Sequence, residues 1–129
     1  MAFQNELTFE KAAKSSSLDE VHSKYEKAYG SLLETAGRSY PNHIDGKARK
    51  AVREFDDACP ADNSLIVGRF QKGTRDDVSD AVDAAEKAFR DWSGTDHKER
   101  LSLFRKAADL MRKDKFLLAA AVTLDNGKT

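Results

Sequence analysis

The chain has 129 residues, enough for one domain with a modest hydrophobic core. Its 22 basic and 22 acidic residues are mixed along the sequence and cancel, so nothing in the composition indicates a nucleic-acid-binding surface. The sequence has no apolar run of the roughly 20 residues that span a bilayer, no apolar signal core near the N-terminus and only one cysteine, so we expect a cytoplasmic protein without disulfides.

Two helices are predicted in the N-terminal third of the chain. A short one around residues 9–14 is broken by three serines. A longer one is predicted over residues 18–36, because Ser17 and Glu20 have the spacing of a capping box. Behind this box the apolar residues recur at helical period: Leu18, Val21, Tyr25, Tyr29, Leu32 and Ala36. Gly37 is the expected C-cap.

The middle of the chain, residues 40–70, is predicted to form two or three short antiparallel strands. Asp45-Gly46 is a strong signal for a two-residue hairpin turn. The best strand seed is Leu-Ile-Val at residues 65–67, whereas residues 56–63 are predicted to form a turn-rich loop.

The clearest helical pattern of the chain covers residues 74–92. Its apolar face consists of Val78, Ala81, Val82, Ala85, Phe89 and Trp92. Thr74 is the predicted N-cap and Gly94 the predicted stop. The aspartates between the apolar residues are interpreted as a solvated face, which is acidic at the first turn as the helix dipole favours.

Another amphipathic helix is predicted after Asp96, with Leu101, Phe104, Ala108 and Met111 on its apolar face. The link of residues 93–95 is short, which favours antiparallel packing of the two helices and burial of Phe89 and Trp92 between them.

Residues 116–122 are apolar on every side, which predicts a helix buried on most sides and ended by Gly127. The rest of the chain offers little to cover it, so we expect an exposed apolar patch on the chain by itself.

The predicted fold class is mostly α with a small antiparallel β element, an α+β arrangement. Three parts are expected: an N-terminal helical arm at residues 1–37, short strands and loops at 38–73, and a helical segment at 74–129.

No group of residues in the sequence is recognisable as a catalytic or cofactor-binding site. Residues 68–74 resemble half a phosphate loop but lack its Gly-Lys-Ser/Thr, so a strand-to-helix connection is the better interpretation. Cys59 is interpreted as an ordinary loop cysteine, because none of the three histidines can be assigned as its base. The histidines also lack the spacing of metal ligands.

Several short strings together resemble the N-terminal segment of the NAD(P)-dependent aldehyde dehydrogenase superfamily, and within it the branch of 1-pyrroline-5-carboxylate (glutamate γ-semialdehyde) dehydrogenases. In chain order they are Phe3-Gln-Asn-Glu-Leu-Thr8, Tyr40-Pro41 with Ile44-Asp-Gly46, Pro60-Ala-Asp with Val67-Gly68, Ala84-Ala85 through Ala88-Phe89 and Trp92, Arg100-Leu101 through Ala107-Ala108-Asp-Leu110, and Thr123-Leu-Asp-Asn-Gly-Lys128. The sequence departs from the family at residues 47–52, where a glycine-rich, tryptophan-containing hairpin is common.

The resemblance implies a fragment of a longer enzyme with an α/β fold. Its parent would use NAD or NADP, form a homo-oligomer and oxidise an aldehyde, whereas this chain alone would hold no cofactor and pack beside the NAD domain as scaffold. Cys59 matches a position before proline where the family often has asparagine, so it is not the family's nucleophile. Asp125 matches a position that contributes to a monovalent-cation site in some members, together with backbone carbonyls near Pro60.

Two other interpretations remain open at the level of the sequence. One is a free-standing helical module that binds a protein partner through its helix faces. The other, a small nucleotide-binding protein, rests only on two incomplete phosphate loops, at residues 68–74 and at Gly127-Lys128-Thr129.

Overall fold

The computed structural model describes residues 8–15 and 17–127. Most of the string Phe3–Thr8, together with Lys128, lies outside the described residues. In chain order the described elements are α1 (Phe9–Lys14), α2 (Leu18–Leu33), β1 (Ser39–Tyr40), β2 (Asn42–Ile44), β3 (Lys47–Arg49), β4 (Glu54–Cys59), β5 (Asp62–Gln71), α3 (Arg75–Gly94), α4 (His97–Lys113) and α5 (Lys115–Asn126).

The two N-terminal helices form where the sequence predicts them. Thr8 caps α1, since its hydroxyl accepts from the backbone N–H of Lys11 at 3.2 Å. The predicted capping box of α2 is wrong: Ser17 makes no capping bond, and Glu20 instead pairs with Lys24 at 2.5 Å. The helix also ends at Leu33, and a turn then leads to Gly37 at φ +72°.

Caps define the starts of α3 and α4 and the end of α5. Thr74 caps α3 as predicted and forms a full capping box with Asp77, whose pKa is held below its ordinary value mainly by the backbone and side-chain hydrogen bonds of Thr74. Asp96 caps α4 by accepting from the N–H of Lys98 at 2.8 Å. Gly127 follows α5 in the left-handed conformation, as a C-cap glycine should.

The strands form two separate sheets. One has the order β1–β5–β4, with β4 antiparallel to β5, and the other is the β2–β3 hairpin. The hairpin prediction is confirmed, because Asp45 and Gly46 occupy its turn at φ +53° and +70°. The prediction of antiparallel strands alone is wrong for β1, which pairs with β5 in parallel through Ser39↔Arg69 and Tyr40↔Phe70.

The predicted loop at residues 56–63 is largely strand. Only Pro60 and Ala61 form the turn between β4 and β5. Pairing with β5 overrides the weak strand propensity of Asp56 and Asp57, and register shifts on either side of Ala58 absorb the irregular pattern.

The fully buried part of the described chain is small. Its buried side chains are Ala12, Cys59, Gln71, Ala120 and Leu124. The principal helix packing is that of α2 against α5, and both face β5 across an apolar groove of about 230 Å³. The mostly α character with a small β element is confirmed.

The predicted packing of α3 on α4 is wrong. The two helices barely touch, Phe89 is 64% exposed and Trp92 41% exposed. The link between them leaves α3 through an extended Thr95 at ψ 133°, which does not return α4 onto the apolar face of α3. The outer face of α5 is exposed at Leu117, Leu118 and Val122, as expected for the chain by itself, and only Ala120 and Leu124 of this helix are buried. No helix within the described ranges has the length and apolar character needed to cross a membrane.

Candidate functional site

The carboxyl end of α5 meets the turn between β4 and β5. A Cβ atom on Gly127 would lie 3.3 Å from the Cβ of Pro60 and 3.7 Å from the backbone nitrogen of Ala61. Glycine is therefore required at position 127 for two reasons: its backbone φ is +62°, and the chain approaches Pro60 closely there. This contact sets the last turn of α5, which carries Asp125, against the end of β4.

Asp57 of β4 and Asp125 of α5 bring their carboxyl groups together at this junction. The pKa of Asp57 is raised above its ordinary value, first by burial and then by the hydrogen bond and the negative charge of Asp125. Asp125 is exposed and accepts a hydrogen bond from the side-chain amide of Asn126 at 2.9 Å. Two neighbouring carboxyl groups repel when both are ionised, which contributes to the raised pKa of Asp57.

The donor chemistry of this pair fits a hard cation only in part. Such cations take several oxygen ligands, and two carboxylates supply a minority of them. Backbone carbonyls near Pro60 or groups beyond the chain would have to complete the shell. Among the described residues no three His, Cys, Asp or Glu side chains form a metal-binding group.

Sequence reasoning named Asp125 through the family resemblance but missed Asp57. The only sequence signal was the position of Asp57 three residues before Pro60, near which the resemblance implied backbone ligands of a cation. Its proximity to Asp125 depends on the pairing of β4 and on the placement of α5, which are properties of the fold.

A pair of hydroxyl groups attaches α5 to α2. The Oη of Tyr25 donates to Oγ1 of Thr123 at 2.8 Å, and Thr123 donates in turn to the carbonyl oxygen of Ala119 at 3.2 Å. Tyr29 stacks on Tyr25 with ring centroids 6.1 Å apart. The C-terminal half of α5 is thus held from the α2 side by Thr123 and from the β4 side by Gly127.

Two further polar clusters organise the β region. Arg49 of the hairpin pairs with Asp77, at 3.3 Å, and with Asp80, which joins the hairpin to the first turns of α3. Buried Gln71 donates to Ser39 Oγ at 3.1 Å and to Glu54 Oε1 at 2.7 Å. Its own oxygen accepts from the N–H of Ala51 at 2.8 Å. All polar atoms of the Gln71 amide are therefore engaged in holding strands together.

The positions of Cys59 and of residues 68–74, which resemble half a phosphate loop, are explained by the fold. Cys59 is the last residue of β4 and is 4% exposed, so its assignment to a loop is wrong. Gly68 lies within β5, where a Cβ atom would be 3.1 Å from the ring of Tyr40 and 3.2 Å from that of Phe70. The predicted strand-to-helix connection is present but shorter than residues 68–74: β5 continues to Gln71, and only residues 72–74 link it to α3.

Comparison with known proteins gives a consistent set of similarities. The sequence model of the aldehyde dehydrogenase family matches residues 47–129. The 1-pyrroline-5-carboxylate dehydrogenase of Bacillus pumilus is 32% identical over 112 residues, which are 87% of this chain and 22% of that protein. The (Z)-2-((N-methylformamido)methylene)-5-hydroxybutyrolactone dehydrogenase of Acinetobacter baylyi is 41% identical over 88 residues, 67% of this chain and 18% of that protein.

The fold is similar to that of a solved enzyme. The 1-pyrroline-5-carboxylate dehydrogenase from Thermus with bound NAD superposes with a TM-score of 0.85 at 29% identity, covering 96% of this chain and 23% of that one. The chain therefore spans less than a quarter of the length of each of these relatives.

Proposed function

The chain belongs to the aldehyde dehydrogenase family, and from that premise we propose that it is the N-terminal scaffold segment of a longer NAD(P)-dependent aldehyde dehydrogenase subunit. The observation that carries this proposal is the combination of a shared fold over nearly the whole chain with coverage of less than a quarter of the relatives. The nucleophile and the cofactor-binding groups of the parent would then lie in the remaining part of the subunit.

The exposed apolar faces support the scaffold role. Large apolar side chains along α3, α4 and α5 are 40% to 68% exposed: Val78, Val82, Phe89, Trp92, Leu101, Leu103, Phe104, Leu110, Met111, Leu117, Leu118 and Val122. A surface of this kind normally marks an interface. We propose that the remainder of the subunit, including its NAD domain, covers these faces, and that the parent is a homo-oligomer. In the parent the chain would contribute an arm (1–37), a strand region (38–73) and the covered helical segment (74–129).

The parent's substrate is proposed to be L-glutamate γ-semialdehyde, oxidised to glutamate in proline catabolism. Support comes from relatives named 1-pyrroline-5-carboxylate dehydrogenase, both among curated proteins and among solved structures. The similar Acinetobacter enzyme is named for a different substrate. NAD is the proposed cofactor because the similar Thermus enzyme is seen with NAD bound, and it would accept the hydride from the substrate.

Asp125 is proposed to bind a monovalent cation in the parent, with Asp57 beside it. The support is the convergence of the two carboxyl groups at the α5–β4 junction, where a cation would relieve their repulsion. In this role the cation would fasten α5 to β4 and leave the chemistry of aldehyde oxidation to other groups.

The proposal is tested by comparing the 129-residue chain alone with the same chain joined to the remaining portion of a family member. With NAD and glutamate semialdehyde, we expect absorbance of the reduced cofactor from the joined protein only. The dye ANS should bind the chain alone and lose its binding sites in the joined protein, because the helix faces are then covered.

Two results would contradict the proposal. Turnover by the chain alone would show that it contains a catalytic site, and Cys59→Ser would then show whether the thiol takes part. A chain that ignores ANS and sediments as a monomer would favour a free-standing module over a segment that needs cover.

A further inference from the structure

We propose that the chain docks on the remainder of an aldehyde dehydrogenase subunit tightly enough to stay bound without a peptide link between the two. This inference rests on the scaffold role proposed above and adds that the exposed helix faces form a permanent interface. The docked pair is then active as two separate polypeptides.

The size of the exposed surface indicates an interface of this kind. The accessible surface of the chain is 10462 Å², whereas a compact monomer of 14.3 kDa exposes about 6,800 Å². The ten residues outside the described ranges account for at most roughly 1,600 Å², even at the value of a fully extended chain. An excess of about 2,000 Å² therefore remains for the described part of the chain.

This excess is large by the standard of protein interfaces. A standard interface covers about 800 Å² on each partner, and permanent complexes bury roughly 2,000–5,000 Å² in total. Covering about 2,000 Å² on this side alone corresponds to a total of roughly twice that area, which lies in the permanent range. A standard transient partner would leave more than half of the excess in water.

The exposed side chains have the composition of an interface core. Phe89 and Trp92 lie on the apolar face of α3, and Phe104 and Met111 lie on that of α4, and all four are exposed. Aromatic side chains and methionine are enriched at interfaces. Since a few large side chains usually dominate binding, we expect Phe89 and Phe104 to be anchors of the docked pair.

The charges beside α4 indicate what the covering surface offers. This helix carries six Lys or Arg residues and two acidic ones. Arg100 precedes Leu101 and Arg105 follows Phe104, so at about 100° per residue the two arginines lie on opposite flanks of the apolar face. The complementary surface is therefore apolar along its centre, with carboxylates facing the flanks of α4.

The remainder of the subunit is the occupant of these faces because of its size and its shared fold. The matched segment is 22% of the Bacillus pumilus enzyme, so more than three quarters of that subunit lies outside it. The Thermus enzyme contains the same arrangement over 96% of this chain, within a subunit of which that arrangement is 23%. A subunit of this kind has enough additional chain to cover three helices at once.

A break in the chain after residue 129 interrupts no described element. α5 ends at Asn126, and Gly127 follows it in the left-handed conformation and lies against Pro60. The starts of α3 and α4 are capped by their own neighbours, Thr74 and Asp96. The helices that carry the interface are thus defined by contacts within the chain.

The test uses a joined protein whose second part is the remaining portion of the Bacillus pumilus enzyme, with a protease site inserted after Thr129. The site is cleaved once the protein has folded. We expect the two pieces to elute together from a size-exclusion column at about 1 µM and to retain NAD-dependent oxidation of glutamate semialdehyde. Co-elution is measured independently of activity.

Two pairs of substitutions provide matched controls. Phe89→Asp and Phe104→Asp place a carboxylate on the apolar faces, whereas Lys87→Asp and Lys106→Asp place it two residues away, about 200° around the same helices. All four side chains are exposed in the chain by itself, so none of the substitutions removes a buried contact. The phenylalanine variants should raise the dissociation constant of the cleaved pair by about thirty-fold or more, as for a binding hot spot, while the lysine variants elute as the wild type does.

The outcomes separate this inference from the scaffold role. A joined protein that is active before cleavage and separates into its pieces at about 1 µM afterwards would overturn the inference and leave the scaffold role. A joined protein without activity would overturn both. Equal elution of the phenylalanine variants and their lysine controls would contradict an interface on α3 and α4, and so would a chain that pairs with a second copy in place of the remainder.

Discussion

Replacing Gly127 by alanine tests the junction of α5 with β4 most directly. The residue has φ +62°, a conformation that costs a residue with a Cβ about 1–2 kcal/mol. The new Cβ would also lie 3.3 Å from the Cβ of Pro60, so the proline ring or the helix end must shift by a few tenths of an ångström. We expect Gly127→Ala to destabilise the end of α5 by about 1–2 kcal/mol from backbone strain, and by more if Pro60 cannot move.

Two other glycines separate these contributions. Gly46 in the hairpin turn has φ +70° and no atom within 4 Å of the position that a Cβ would take, so Gly46→Ala carries the backbone strain without the contact. Gly94 is the last residue of α3 and is also open, but it lacks a positive φ. Gly94→Ala should therefore stabilise α3 by up to about 1 kcal/mol, because alanine is the better helix former.

The assay is hydrogen exchange of the α5 amides, supported by urea unfolding followed through circular dichroism at room temperature. Exchange near residues 119–126 should accelerate in Gly127→Ala and remain unchanged in Gly46→Ala. Gly127→Asn should lie between alanine and glycine in its effect, since asparagine tolerates the left-handed conformation better. If Gly127→Ala left both α5 exchange and the urea midpoint at their wild-type values, the close contact with Pro60 would be refuted.

Two further predictions concern burial and pH. Phe89→Ala should change the free energy of unfolding by less than about 0.5 kcal/mol, because the side chain is 64% exposed. Leu124→Ala should lower it by about 2–5 kcal/mol, because Leu124 is only 3% exposed. Equal losses for the two variants in urea unfolding would contradict the structure. Hydrogen bonds from Ser39 and then Gln71 hold the pKa of Glu54 below its ordinary value of 4.5, so its contribution to stability is present above pH 4.5 and is lost as the pH falls through the lowered pKa. Glu54→Gln should flatten the acid side of the stability profile, and a profile identical to that of the wild type would show that these bonds do not form.

The helices were predictable because their signals are local. Thr74 and Asp77 lie three residues apart and form their capping box within one turn, so the sequence is sufficient to place the start of α3. The Asp45-Gly46 turn is equally local. The end of α2 was misplaced because Gly37 closes the turn that follows the helix, and the helix itself stops at Leu33.

The strand pairing and the candidate site depend on contacts between distant parts of the chain. β1 pairs in parallel with β5 some thirty residues later, as in Ser39↔Arg69, and no local pattern distinguishes this from an antiparallel pair. The same holds for Asp57, which becomes a neighbour of Asp125 only after β4 and α5 are assembled. The family resemblance identified Asp125, whereas Asp57 is identified only from the fold.

The apolar faces of α3 and α4 show a different limit of prediction from sequence. Their periodicity correctly predicts which side chains lie on one face, but it does not identify the surface that covers that face. The short link suggested that the two helices cover one another. In the structure Phe89 and Phe104 are among the most exposed aromatic side chains, at 64% and 68%.

The contact between Tyr25 and Thr123 has a consequence for the synthesis of the protein. The two residues are 98 positions apart, so α2 emerges from the ribosome long before the helix on which it packs. At about 5–20 residues per second, roughly 5–20 s separate the two events. During that interval the face of α2 that packs on α5 lacks its native partner and stays exposed to solvent.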